Sequence, residues 1–195
     1  MSTAARTSFI TPEEYLALER AAETKSEYFR GEAFALAGAG RRHNLLVASL
    51  IERIRPDARR RGCQVYPSDM RIGIRAIGKY TYPDVAITCG KEEFEDAVAD
   101  TLLNPVVLVE VLSESTEKYD RGAKFEHYQK LPSLRLYVLV TQDRPRVEVF
   151  ARAEAGFWRY EAFEGNESVL ALDPPGATFS LGELYEGVLE EPAGV

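Results

Sequence analysis

Two acidic residues stand where acids are costly. The run Val106-Val107-Leu108-Val109-Glu110-Val111-Leu112 is apolar on both alternating faces except at Glu110. Asp84 sits between Tyr82-Pro83 and the apolar Val85-Ala86-Ile87, where a strand ordinarily carries another β-branched residue. An ionised carboxylate in a buried strand costs several kcal/mol unless a cation compensates it, and no Lys or Arg neighbours Glu110 in the chain. A metal ion is one remedy. Acids on two adjacent strands converge, and hard oxygen ligands suit Mg²⁺ or Mn²⁺, held by one or two carboxylates, waters and phosphate oxygens. Phosphodiester hydrolysis is the chemistry this favours, with an ion that lowers the pKa of a bound water and neutralises charge growing on the phosphoryl oxygens. A nearby lysine stabilises the attacking hydroxide, and Lys124 lies on the helix expected after Glu110. A lone acid near a strand end is ordinarily solvated or bonded to a turn. The combination of Asp84, Glu110 and Lys124 is what points to one cluster. For Lys124 the competing reading is an exposed i, i+4 pair with Asp120, worth ~0.3–0.5 kcal/mol.

Other polar residues join this set less sharply. His43, beside Asn44 at a helix start, reads equally as a phosphate contact or proton-transfer aid and as a cap or surface contact. Tyr128 follows Lys124 by four residues and shares its face, as a donor into the site or as a core filler. Asp69 reads as structural and Trp158 as core. Residues 41 to 61 hold seven arginines, at 41, 42, 53, 55, 59, 60 and 61, against Glu52 and Asp57. This stretch is the natural landing place for a phosphate backbone, with Arg53, Arg59 and Arg60 as candidate contacts, or else a solvated helix face.

The elements that must position these residues follow from periodicity and punctuation. Thr11-Pro12-Glu13-Glu14 begins a short helix, with Tyr15, Leu16 and Leu18 as its apolar side. Glu27 to Gly38 reads as two short strands about a turn at Gly31-Glu32, with Glu27 at the entrance. From Asn44, the residues Val47, Leu50, Ile51 and Ile54 give an amphipathic helix expected to end or kink before Pro56. Val65 to Ile74 and Tyr80 to Thr88 read as a β-hairpin across Ile77-Gly78-Lys79, with Asp84 inside its second strand. An acidic loop leads to the central strand, and Ser115 or Thr116 caps a helix to about Leu131. Strands at 134–140, 146–151, 157–163 and 168–172 precede a closing helix near 181–185. Helices and strands intermix, so one α+β or mixed α/β domain over 1–195 is expected, with its core at about 11–190.

Composition bounds the partners. The chain has 195 residues, 45% hydrophobic and 28% charged, enough to bury a core without staples. Its net charge of -7 opposes indiscriminate binding to nucleic acid or anionic lipid, so any basic surface is local. Cys63 and Cys89 lack metal-finger spacing and are expected as reduced thiols, with one disulfide as the alternative. Met1–Pro12 is short and polar and no stretch approaches a membrane span, so a cytoplasmic protein without membrane contact is expected.

The ordered motifs resemble the Uma-two-type putative restriction endonucleases, a bacterial family in the PD-(D/E)XK nuclease superfamily. The likeness runs through Thr11-Pro12-Glu13-Glu14-Tyr15-Leu16, Glu27-Tyr28 with Gly31-Glu32, Arg42-His43-Asn44 and Pro67-Ser68-Asp69-Met70-Arg71. It continues through Tyr82-Pro83-Asp84, Glu110-Val111-Leu112-Ser113, Tyr119-Asp120-Arg121-Gly122 with Lys124 and Tyr128, and Pro132-Ser133-Leu134. The resemblance implies a restriction-endonuclease-like core, a mixed sheet with antiparallel hairpins flanked by helices. It also implies a Mg²⁺- or Mn²⁺-dependent endonuclease acting on DNA, with a homodimer as a common arrangement for cutting both strands. Asp84, Glu110 and the Val111 carbonyl would be metal ligands, and Glu27 the additional early acid. The lysine that this signature places two residues after the second acid is Leu112 here, and Lys124 stands where a migrated lysine would be. The alternative is a catalytically inactive nuclease-fold module that binds nucleic acid or protein.

Overall fold

A computed structural model describes residues 9–190. Residues 1–8 and 191–195, which the expected domain and the polar opening stretch include, lie outside the described residues. The first helix, α1 (Pro12–Ala21), starts as its sequence demands. The Thr11 hydroxyl accepts from the Glu14 N–H at 3.2 Å and the Glu14 carboxylate accepts from the Thr11 N–H at 2.7 Å, a closed capping box. Tyr15 and Leu16 are buried with Tyr28 and Tyr80, whereas Leu18, expected on the apolar side, faces outward. Strands β1 (Ser26–Phe29) and β2 (Glu32–Ala35) form the expected hairpin. Its turn is Arg30-Gly31, one residue earlier than read, with both residues at positive φ (51 and 90) as a tight twisted turn requires.

Helix α2 (Arg41–Arg60) begins before Asn44 and runs through Pro56, so of the expected end or kink the end is overturned. The reason is burial on both sides of the proline. Leu46, Leu50, Ile54 and Ala58 are all fully inaccessible against the larger sheet, and that stripe outweighs the cost of about 3 kcal/mol for an interior proline.

The expected long hairpin is divided between two sheets. Its strands are β3 (Cys63–Pro67), β4 (Arg71–Ile74), β5 (Lys79–Thr81) and β6 (Val85–Cys89). The inner halves pair as β4 with β5, and the outer halves as β3 with β6. The ladder breaks at Pro67 and at Tyr82-Pro83-Asp84, where prolines have no N–H to offer a partner strand. Asp84 therefore lies just before β6, not inside a strand. The same register sets Cys63 opposite Cys89 with Cα atoms 4.0 Å apart, and the two form a disulfide, which corrects the expectation of reduced thiols.

After β7 (Thr101–Leu102) comes β8 (Val107–Val111), buried at every position. A helical stretch follows: α3 (Glu117–Tyr119), a π-helical turn (Asp120–Lys124) and α4 (Phe125–Tyr128). Strands β9 (Leu136–Val140), β10 (Arg146–Arg152) and β11 (Trp158–Glu164) form a meander. The hairpin of β12 (Val169–Leu172) and β13 (Ala177–Ser180) and helix α5 (Leu181–Leu184) complete the described chain. The larger sheet has the order β11-β10-β9-β8-β6-β3, with β8 and β9 parallel and the other pairs antiparallel. The smaller has the order β2-β1-β5-β4-β7. Val107, Val109 and Val111 face a core shared with α2, while Leu108 and Leu112 face one shared with Tyr128 and Tyr137. The α+β reading with a mixed sheet is thus the architecture observed.

Replacing Ile54 by Ala leaves a cavity beneath α2 and is expected to lower the unfolding free energy by about 2–5 kcal/mol in urea melts. Arg59→Ala, at an exposed position of the same helix, should stay within about 0.5 kcal/mol of wild type.

Candidate active site

The seam between the sheets is where the acids meet. Asp84, at the ladder break, donates its N–H to the Val109 carbonyl at 3.1 Å and accepts the Val111 N–H on Oδ2 at 2.7 Å. Asp84 is thereby clamped to β8 on either side of Glu110, by its backbone N–H on one side and its carboxylate on the other. His43, in the first turn of α2, brings Nε2 to 3.1 Å from the same oxygen. Val85 pairs with Val109 in an antiparallel ladder, so Asp84, one step before Val85, falls opposite Glu110 as that register continues. Glu110 points to the same face as Leu108 and Leu112, buried to 4% exposure. Its Oε1 accepts from the Tyr128 hydroxyl at 2.8 Å and lies 2.9 Å from the Lys124 ammonium.

Lys124 is not on the surface. Within the π turn both Asp120 and Lys124 face inward, at 3% and 6% exposure, so the exposed-pair reading is corrected. Widened turns of this kind are frequent at functional sites. The Asp120 carbonyl accepts the Tyr137 hydroxyl at 3.0 Å, and its carboxylate lies 3.5 Å from Lys124.

Glu27 enters from the smaller sheet and joins both halves. Its Oε1 is 3.7 Å from Lys124 and its Oε2 is 3.2 Å from Lys79. The Thr81 hydroxyl donates to Oε1 and the Tyr119 hydroxyl to Oε2 at 3.2 Å, while Lys79 donates to the Tyr119 oxygen at 2.7 Å. Sequence reasoning missed Lys79, Thr81, Tyr119 and Asp120 as members of this cluster. The available signal was the alternation Lys79-Tyr80-Thr81 on β5, which puts two polar side chains on the face opposite the buried Tyr80.

Four carboxylates (Glu27, Asp84, Glu110, Asp120) thus face two ammonium groups (Lys79, Lys124), an excess of two negative charges when all are ionised. Burial, reinforced by Asp120 and Asp84, drives the Glu110 carboxyl well above the usual range against the opposing pull of Lys124. Burial likewise raises Asp120. Burial opposes the charge on Glu27 too, but Lys124, Lys79 and the Thr81 hydrogen bond prevail and hold it below the ordinary value. Burial works against the Lys124 ammonium, yet Glu110, Glu27 and Asp120 outweigh it and keep the proton on.

This donor set fits a small hard cation. Among the described residues no group of three or more His, Cys, Asp or Glu side chains forms a ready ligand shell. Two carboxylates from adjacent strand ends suffice for Mg²⁺ when water and phosphate complete the octahedron, and the excess negative charge is what a divalent ion would balance.

The remaining sequence candidates lie behind the carboxylates or away from them. Tyr128 is fully buried, behind Glu110 rather than at a substrate surface. At a rise of about 1.5 Å per residue, Arg53 lies about 15 Å along α2 from His43, and Arg59 and Arg60 about 24 Å or more. Arg53 is paired with Glu183 and Glu186, and Arg60 with Asp57. The structure does not bring these arginines to the carboxylate cluster. Asp69 is an exposed partner of Lys25, and Trp158 is half-buried at the edge of the core, over which the Arg152 guanidinium stacks. Among the described residues no helix is long and apolar enough to cross a membrane.

Comparison with known proteins bears on the family and the fold. Residues 12–182 match the family model described as Uma2, putative restriction endonuclease. The chain is 32% identical over 179 residues to the uncharacterized protein slr1290 of Synechocystis sp., covering 92% of this chain and 93% of that one. It is 34% identical over 158 residues to sll1609 of the same organism, covering 81% and 89%. The crystal structure of a putative nuclease belonging to DUF820 from Anabaena variabilis superposes with a TM-score of 0.74, at 19% identity over 92% of this chain and 99% of that one. The two proteins share this fold.

Removing the central ammonium strands buried acids. Lys124→Met is expected to cost about 3–5 kcal/mol of stability at pH 7. Of the acids left behind, Glu110 and Asp120 are held above their unfolded values by burial even with the ammonium in place, so the destabilisation should grow as pH rises through neutrality and shrink toward pH 5. Urea melts of wild type and variant at the two pH values measure this, and a pH-independent difference would contradict the burial of three acids around Lys124.

Proposed function

The chain belongs to this family of putative restriction endonucleases, and from that premise we propose that it is a Mg²⁺- or Mn²⁺-dependent endonuclease hydrolysing phosphodiester bonds of DNA. The observation that carries the reading is the convergence of Asp84 and Glu110 from adjacent strands with the Lys124 ammonium 2.9 Å from Glu110. Asp84, Glu110 and the Val111 carbonyl would hold the ion, which when bound acidifies a water and neutralises charge on the phosphoryl oxygens.

The chain's own residues supply the rest. The Val111 N–H and His43 orient the Asp84 carboxylate by hydrogen bonds to Oδ2, so that its direction is set before substrate arrives. Tyr128 does the same for Glu110 from behind. Lys124 keeps its proton at Nζ and donates a hydrogen bond from the ammonium to an attacking oxygen or a non-bridging phosphoryl oxygen, the task a lysine two residues after Glu110 would have. Leu112 cannot take that task, since it is packed in the apolar core. Glu27 holds Lys124 and Lys79 in place from the opposite sheet.

Purified protein incubated with supercoiled plasmid and Mg²⁺ or Mn²⁺ should nick or cut it. Asp84→Ala and Lys124→Ala should each lower the rate by at least about 10²-fold. Equal cutting by all three proteins refutes the assignment. Calorimetric Mn²⁺ binding by wild type, lost in Asp84→Ala, together with no cutting by any of them, would instead establish a non-catalytic module.

A further inference from the structure

The segment that links the two sides of the acidic cluster has a composition the catalytic reading does not use. β2 is the edge strand of the smaller sheet, and all four of its residues are exposed. Its register pairs Phe34 with Glu27. Directly opposed residues of an antiparallel pair stand on the same face with Cβ atoms about 4.5–5.5 Å apart. Phe34 is 50% exposed while Glu27 is buried, so on the shared face the ring is open to solvent and the carboxylate is not. From Phe34 the chain runs through Ala35-Leu36-Ala37-Gly38-Ala39-Gly40 into α2, whose His43 reaches Asp84. Residues 34 to 43 therefore pass from a position opposite one site carboxylate to a contact with another.

This rim is open and uncharged. Residues 32 to 41 are exposed without exception, and none from Ala33 to Gly40 carries a charge. A Cβ added at Gly38 or Gly40 would meet nothing within 4 Å. Leu36 and Leu45 are exposed along it, and the ring of Tyr119, whose hydroxyl bonds Glu27, is also solvent-facing.

Resting on the nuclease reading, we propose that Phe34 is a stacking platform for an unpaired nucleobase, and that the substrate is single-stranded or locally unpaired nucleic acid. Charge argues for this occupant. The chain has a net charge of -7 and a cluster of four carboxylates, which repels a phosphate backbone not already neutralised by a metal. Arg41, Arg53, Arg60 and Arg61 are held by carbonyls or carboxylates of the chain itself. Those four are not free to meet phosphate, and base–aromatic stacking is a contact that a half-exposed phenyl ring flanked by alanines offers. A duplex keeps its bases stacked on one another and presents chiefly phosphates, so it cannot use the ring without local opening.

Fluorescence anisotropy of the full chain with a labelled oligonucleotide, single-stranded or annealed, with Ca²⁺ in place of Mg²⁺ to suppress cutting, tests this. The single strand should bind more tightly than the duplex. Phe34→Ala should weaken single-strand binding about 5- to 150-fold, and Phe34→Trp should restore it with quenching of the added indole. Duplex binding equal to single-strand binding, or Phe34→Ala binding as wild type does, overturns the proposal. So does sedimentation showing a wild-type dimer that Phe34→Ala dissociates, which would assign the rim to a second copy. The nuclease reading fails separately, if Asp84→Ala cuts as wild type does. Metal-dependent cutting with unaltered Phe34→Ala binding sinks the platform alone.

Discussion

A single ammonium group, withdrawn from water and surrounded by carboxylates, is the interaction around which the site is arranged. Lys124 lies within 4 Å of Glu110, Glu27 and Asp120, and each of those acids is itself buried. Neither sign could be desolvated alone, because an uncompensated buried charge costs far more than a surface pair gains. The cation is contributed by a π-helical turn, one acid by the central strand of the larger sheet and another by the smaller sheet. Closing this electrostatic set therefore requires three separate elements to be in place together.

The two sheets can share the cluster because one pair of strands serves both. The chain leaves the larger sheet at Pro67, crosses the smaller through β4 and β5, and returns at Pro83-Asp84. Prolines at both crossings interrupt the ladder, and the residue after the second is free to turn its carboxylate toward β8 instead of continuing the pleat. The disulfide between Cys63 and Cys89 ties the far end of the same outer pair. Helix α2 lies over the larger sheet, and its first turn delivers His43 to Asp84. The geometry favours residues that act by holding others: the Val111 N–H and His43 on Asp84, Tyr128 on Glu110, and Lys79, Thr81 and Tyr119 on Glu27.

Much of this was legible beforehand, and for identifiable reasons. A carboxylate in a run as apolar as Val106–Leu112 breaks the pattern of a buried strand, so Glu110 stood out without any coordinates. The capping box at Thr11, the stripe of α2 and the alternation of the hairpin strands are local signals, carried by residues within a turn or two of each other. Lys79 and Asp120 were overlooked because each has an unremarkable local reading, a hairpin turn and a surface ion pair. The pairing of Arg53 was not legible because its partners, Glu183 and Glu186, lie far along the chain, whereas Arg60 is answered by Asp57 on the same exposed helix.

The chain alone determined which residues are chemically out of place, Asp84, Glu110 and the lysine that must answer them, since burial preference and periodicity are written into neighbouring positions. Tertiary structure decided that the expected long hairpin divides between two sheets, that α2 continues past Pro56, that the cysteines pair and that Lys124 faces inward. Those outcomes depend on free energies summed over residues tens of positions apart. A proline's cost, a thiol's partner or an ion's solvation is settled only when distant surfaces meet and water is excluded between them.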